Sequence, residues 1–115
     1  MLLNIDDSDH LDSPSEVEMR KCIEGLGAEQ FLVLSREEGY FIQTYHNADG
    51  SYELEFRQGS TSQQYKVDSD QISVADVCRA FDLFLMHSEE LATAWDWKQL
   101  SLGPDLRVGD DSTER

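Results

Sequence analysis

Hydrophobic positions along this chain switch between two periods, and each switch marks an element. In "DGSYELEFRQGS" (49 to 60), Tyr52, Leu54 and Phe56 alternate with Glu53, Glu55 and Arg57, the pattern of a strand with one buried and one wet face. "YFIQTYH" (40 to 46) and "QQYKV" (63 to 67) read as strands too. "FLVLS" (31 to 35) is nearly all apolar, as a strand in the interior of a sheet would be. The connections "REEG", "NADG" and "QGSTS" are short and contain glycine, so consecutive strands turn back on each other as hairpins in an antiparallel meander.

The period lengthens on either side of these strands. "SPSE" opens a first helix: Ser13 can cap it, Pro14 suits its first position and Glu16 can close a capping box. Val17, Met19, Cys22, Ile23 and Leu26 form its apolar side, and Gly25 and Gly27 end it. A second helix starts at Ser73 with Asp76 as capping partner. Val74, Val77, Cys78, Phe81, Phe84 and Leu85 recur there at helical spacing as the widest apolar stripe of the chain. "LATAWDWKQLSL" then reads as a short helical turn followed by an extended piece.

The predicted fold is α+β: a four-stranded antiparallel meander sheet covered by an N-terminal and a C-terminal helix, with a Trp-containing C-terminal segment. Residues 13–102 make the domain. Residues 1–12 read as an acidic flexible arm, able to add a short edge strand at Leu2 to Ile5, and 103–115 as a polar flexible tail. With 115 residues there is room for one modest core.

Charge changes the picture more than size does. The chain carries 24 acidic and 9 basic residues, a net charge of −15 and a pI near 4.2. Nucleic acid and anionic membrane are therefore not expected as direct ligands, because both call for a concentrated cationic surface. A basic protein partner, met quickly and in a salt-sensitive way, fits better; plain solubility is the competing explanation of the acid. "MLLNIDDSDH" lacks the cationic start of a secretory signal, and no apolar run reaches transmembrane length, so a cytoplasmic location is expected. Cys22 and Cys78 lie far apart in helical patterns and read as buried free thiols.

Candidate chemistry is sparse. His10, His46 and His87 have no second ligand at a metal spacing, and "DDSD" (6 to 9) and "DSD" (68 to 70) lack the glycine and distal glutamate of a calcium loop. There is no nucleophile elbow, no glycine-rich phosphate loop and no cysteine with a local activating base. Adjacent Glu37 and Glu38 fall in a turn, where opposed hydrolase carboxylates would have to flank a cleft. No enzyme activity, cofactor or metal is expected. Trp95 and Trp97, at alternate positions, would point to opposite sides of an extended segment; one packs on the core, and the other, if exposed, anchors an interface.

The order of strands, the polar-capped helix and the closing aromatic motif in "ISVADVCRAFDLFLMHSEELATAWDWKQLSL", with Trp97 and Leu100, resemble small bacterial immunity proteins of polymorphic toxin systems, in particular the first-numbered immunity family. The likeness runs over residues 14 to 102 and leaves out the N-terminal acidic segment. It implies a stoichiometric, non-catalytic inhibitor that binds and occludes a cognate toxin or effector. With the charge, that points to a basic partner met by Glu37, Glu38, Asp49, Glu53 and Glu55, with Trp95 or Trp97 as anchor. The alternative is an acidic adaptor or nucleic-acid mimic that works through its acidic ends. Monomer and homodimer are both open, since a sheet edge or a Trp could pair two copies.

Overall fold

A computed structural model describes residues 1–6, 9–67 and 72–100. The "DSD" run, the centre of "DDSD" and the tail expected over 103–115 lie outside the described residues. The elements are β1 (Leu2–Ile5), β2 (Asp9–Asp12), α1 (Glu16–Glu24), β3 (Phe31–Glu37), β4 (Tyr40–His46), β5 (Tyr52–Gln58), β6 (Gln64–Val67), α2 (Val74–Leu85), α3 (Leu91–Ala94) and β7 (Lys98–Gln99).

The fold is α+β around an antiparallel sheet, and the sheet has seven strands, not four, in the order β2-β1-β3-β4-β5-β6-β7. The meander β3 to β6 forms its middle. Three short strands extend it: β7 follows α3, β1 is the strand the sequence allowed at Leu2 to Ile5, one place in from the edge, and β2 comes from the rest of the segment read as a loose arm. Acid made that segment look unstructured, but an edge hairpin needs only a few inward positions. Leu3 is one: it pairs with Leu34 and is fully buried, while the acidic residues of β2 stay exposed at the rim. Charge on an outermost strand also discourages further pairing. Asp6 ends β1 in a left-handed conformation (φ 51°) and ties the hairpin to β3, its backbone N–H donating to the Phe31 carbonyl and its carboxylate accepting from the Phe31 N–H, both at 2.9 Å.

Period-two alternation then sorts the side chains. Leu32, Leu34, Ile42, Leu54, Phe56 and Val67 face the helices and are buried, as is Thr44, whose hydroxyl donates to the Glu53 carbonyl at 2.7 Å. Burying that hydroxyl is tolerated because it has a partner. Both helices cover this one face. α1 contributes Met19 and Ile23, with Leu26 just beyond it; α2 contributes Val77, Ala80, Phe81, Leu83 and Phe84. Val17, expected on the apolar side of α1, is 64% exposed, since two residues from Met19 is more than half a turn away. Cys78 is buried, and Cys22 only half-buried.

Capping differs between the helices. Ser73 and Asp76 form the expected box on α2, the Ser73 hydroxyl accepting from the Asp76 N–H and the Asp76 carboxylate from the Ser73 N–H. On α1 the box is Ser15 with Glu18, not Ser13 with Glu16. Ser13 is occupied in turning the chain out of β2: it has φ 50° and its N–H donates to the Met1 carbonyl at 2.7 Å. The helices are tied by Arg20 and Asp82 at 2.9 Å, and this contact raises the Arg20 pKa.

A close approach fixes the β3–β4 turn. Gly39 has φ 85°, accepts from the Gly59 N–H at 2.8 Å, and would bring a Cβ to 2.7 Å from the Gly59 carbonyl. Only glycine fits both demands.

Candidate interaction face

With both helices on one side, the other face of the sheet is left open. Its floor comes from the alternate positions of the same strands: Phe31, Val33 and Ser35 of β3, Phe41, Gln43 and Tyr45 of β4, Glu53, Glu55 and Arg57 of β5, Gln64 and Lys66 of β6, and Lys98 of β7. Glu53 and Glu55 therefore stand on the wet face, as the alternation in "YELEFR" predicts.

They do not stand there alone. Glu55 Oε1 accepts from Gln43 Nε2 at 3.3 Å and from Gln64 Nε2 at 2.9 Å. Gln64 is buried and accepts in turn from Arg57 Nε at 2.8 Å, and the Arg57 guanidinium lies 5.0 Å from the centre of the Phe41 ring. Glu53 pairs with Lys66 at 3.2 Å. Amides, carboxylates and cations thus form a lattice across three strands, which covers the sheet with alkyl stems while the charged heads stay wet. Locally the face is not strongly acidic, since Arg57, Lys66 and Lys98 share it.

The acid is instead concentrated at one end of the sheet. The β1–β2 turn and the start of β2 carry Asp6 and Asp9, the segment before β3 carries Glu29 and the β4–β5 turn carries Asp49, and none of these segments contains a Lys or Arg; Glu53 follows as the second residue of β5. At this end a hollow of about 310 Å³ opens on the sheet face between Phe31, Gln43, Tyr45, Glu53 and Glu55. Asp49 holds its turn: its Oδ1 accepts from the Ser51 hydroxyl at 2.6 Å and from the Ser51 N–H at 2.9 Å, and these bonds, the hydroxyl's first, lower its pKa.

The residues expected to meet a partner are divided by this geometry. Glu53, Glu55 and Asp49 share one end. Glu37 and Glu38 lie at the other end of the β3–β4 hairpin, about 20 Å away along seven-residue strands. Trp95 and Trp97 do not diverge. Both are half-buried against the core on the helix-covered side, with their rings 6.1 Å apart, edge to face. Trp97 also meets Phe56 edge-on at 4.5 Å and donates from Nε1 to the Leu91 carbonyl at 2.7 Å. That bond and the two ring contacts make Trp97 a structural residue.

Phe31, Gln43, Tyr45 and Gln64 were not singled out in the sequence. The signal was present: odd-numbered positions in "FLVLS" and "YFIQTYH" point away from Leu32 and Ile42, but aromatic and amide side chains do not announce an open face as charges do.

The histidines lie on separate elements. His10 is exposed on β2. His46 donates from Nδ1 to the Leu26 carbonyl at 2.8 Å and stacks on Tyr52 at 4.3 Å, joining β4 to the end of α1. His87 accepts at Nδ1 from Arg36 at 3.2 Å, and so faces a guanidinium and not the carbonyls at the end of α2. Among the described residues no group of three or more His, Cys, Asp or Glu comes together as a metal site, and no helix is long and apolar enough to cross a membrane. Compared with family models, with curated protein sequences and with solved structures, the chain matches none.

Proposed function

We propose that this chain is a stoichiometric binding protein of the immunity type, which holds a basic bacterial toxin or effector and blocks its working surface. The observation that carries this reading is the coincidence, at one end of the sheet, of an uncovered face and connecting segments that bear Asp6, Asp9, Glu29 and Asp49 without a Lys or Arg among them, with Glu53 beside them on the face and paired with the partly exposed Lys66. An acidic rim beside a solid surface suits a cationic protein better than a small substrate, because the rim steers and the face supplies contact area. A toxin that grips nucleic acid through Lys and Arg would present such a surface. Glu37 and Glu38, at the far end of the hairpin, contribute to the field and not to the same contact.

The test is capture from the native cell with the tagged full chain at low and high salt, followed by expression of the captured protein alone and with this chain. A basic protein retained in stoichiometric amount, weakened by salt, toxic by itself and harmless in the presence of this chain is the expected result. Absence of such a partner at either salt, or a partner whose toxicity this chain leaves intact, overturns the reading.

A further inference from the structure

The two ends of the open face are built from the same kinds of parts, yet only one is complete. Near Gln64, an aromatic ring (Phe41) is covered by a guanidinium (Arg57), which is held by an amide (Gln64) that is itself held by a carboxylate (Glu55). At the acidic end, the rings of Phe31 and Tyr45, cross-strand partners, flank the hollow with Glu53 and Glu55, and among the described residues no Arg or Lys covers either ring. Elsewhere the chain repeats the arrangement it lacks there: Arg36 lies 4.9 Å from the centre of the Phe84 ring and 5.3 Å from that of Tyr40.

We infer that the hollow at Phe31, Tyr45, Glu53 and Glu55 receives an arginine side chain of the protein partner, its guanidinium lying against the aromatic wall and donating to the two carboxylates. This rests on the reading of a basic partner and specifies where that partner is gripped. Arginine fits better than lysine because its flat fork can stack on a ring and give an N–H to each of two acceptors at once, whereas an ammonium is a compact, strongly hydrated point charge. Glu53 and Glu55, two positions apart on one face, stand about 7 Å apart along the strand, so a guanidinium placed between them can reach both. The Glu55 hydrogen bonds described above both fall on Oε1. The Lys66–Glu53 pair is exposed enough to yield, with side-chain exposures of 38% and 33%, and a solvent-screened pair of this kind offers little resistance to exchange.

The test is an amide-shift titration of the full chain with acetyl-Gly-Arg-Gly-Arg-Gly-amide and with its lysine twin. Shifts should centre on Phe31, Gln43, Tyr45, Glu53 and Glu55, and the arginine peptide should bind about two- to fivefold more tightly than the lysine peptide. Tyr45→Ala should remove that preference. Glu53→Gln with Glu55→Gln should weaken binding more than Glu37→Gln with Glu38→Gln, which removes the same charge from the far end; thermal melts of all variants check that the fold persists. Equal binding of the two peptides, shifts spread evenly around the acidic turns, or no effect of Tyr45→Ala would overturn the inference. Capture of a toxic partner by a chain whose hollow ignores the arginine peptide would sink the hollow and leave the function standing. A hollow that prefers arginine, in a chain that captures no toxin, would do the reverse.

Discussion

The two faces of one sheet solve opposite problems with the same strands. Toward the helices, β5 presents Leu54 and Phe56, which are buried and touch aromatic and aliphatic neighbours on every side. Toward water, the same strand presents Glu53, Glu55 and Arg57, held by one or two polar contacts each to neighbouring strands. Burial on the first face is a large, non-directional contribution. The polar lattice on the second sets side-chain positions at little net gain, because each of its bonds replaces one to water. Stability therefore belongs to the covered face, and the open face can be specialised for contact at small cost to the fold.

Adjacent substitutions in β5 would expose that difference most strongly. Phe56→Ala should destabilise by about 3–5 kcal/mol, through lost burial and the cavity left beneath Trp97. Glu55→Gln, one position away, should change stability by less than about 1 kcal/mol. Denaturant unfolding of the two variants measures both. Comparable losses would mean that the open face is structural after all.

Of intermediate size is the contribution of the caps that start the covering helices. Ser15→Ala and Ser73→Ala should each cost about 1 kcal/mol, whereas Ser13→Ala should cost no more than about 0.5 kcal/mol. Thermal unfolding of the three variants decides whether α1 begins where the Ser15–Glu18 box places it.

The smallest expected effect lies at the acidic end of the open face. The Ser51 hydroxyl and N–H hold the Asp49 carboxyl below its ordinary pKa. A depressed carboxyl stabilises the fold fully above its unfolded pKa, and that contribution disappears as pH falls through the folded value. Ser51→Ala should therefore raise the Asp49 midpoint in a carboxyl NMR titration and lower stability slightly at neutral pH, with the gap to the parent closing on acidification. An unmoved midpoint would show that the backbone N–H alone sets it.

Removing residues 1–12 would not test binding in isolation, because it takes away Leu3 and two strands along with the acid. This also shows where composition misled. An acidic stretch reads as solvated because charges resist burial, yet at a sheet edge most positions are wet and one or two inward residues suffice to seat it. Ser13 and Ser15 teach the same lesson on a smaller scale. Either can cap a helix, and the choice fell to Ser15 because Ser13 was needed for the turn out of β2.

Local periodicity by itself determined the two longer helices, the β3 to β6 meander and the side of β5 on which Glu53 and Glu55 stand. These depend on spacings of two and of about 3.6 residues, which short stretches of chain carry within themselves. Only the tertiary structure decided that both helices share one face, that β2 lies outside β1 and Lys98 joins the sheet, that Trp95 and Trp97 pack inward, and that Phe31, Tyr45, Glu53 and Glu55 surround one hollow. Each of those outcomes joins residues from distant parts of the chain, and such contacts form only once strand order and helix placement bring the elements together.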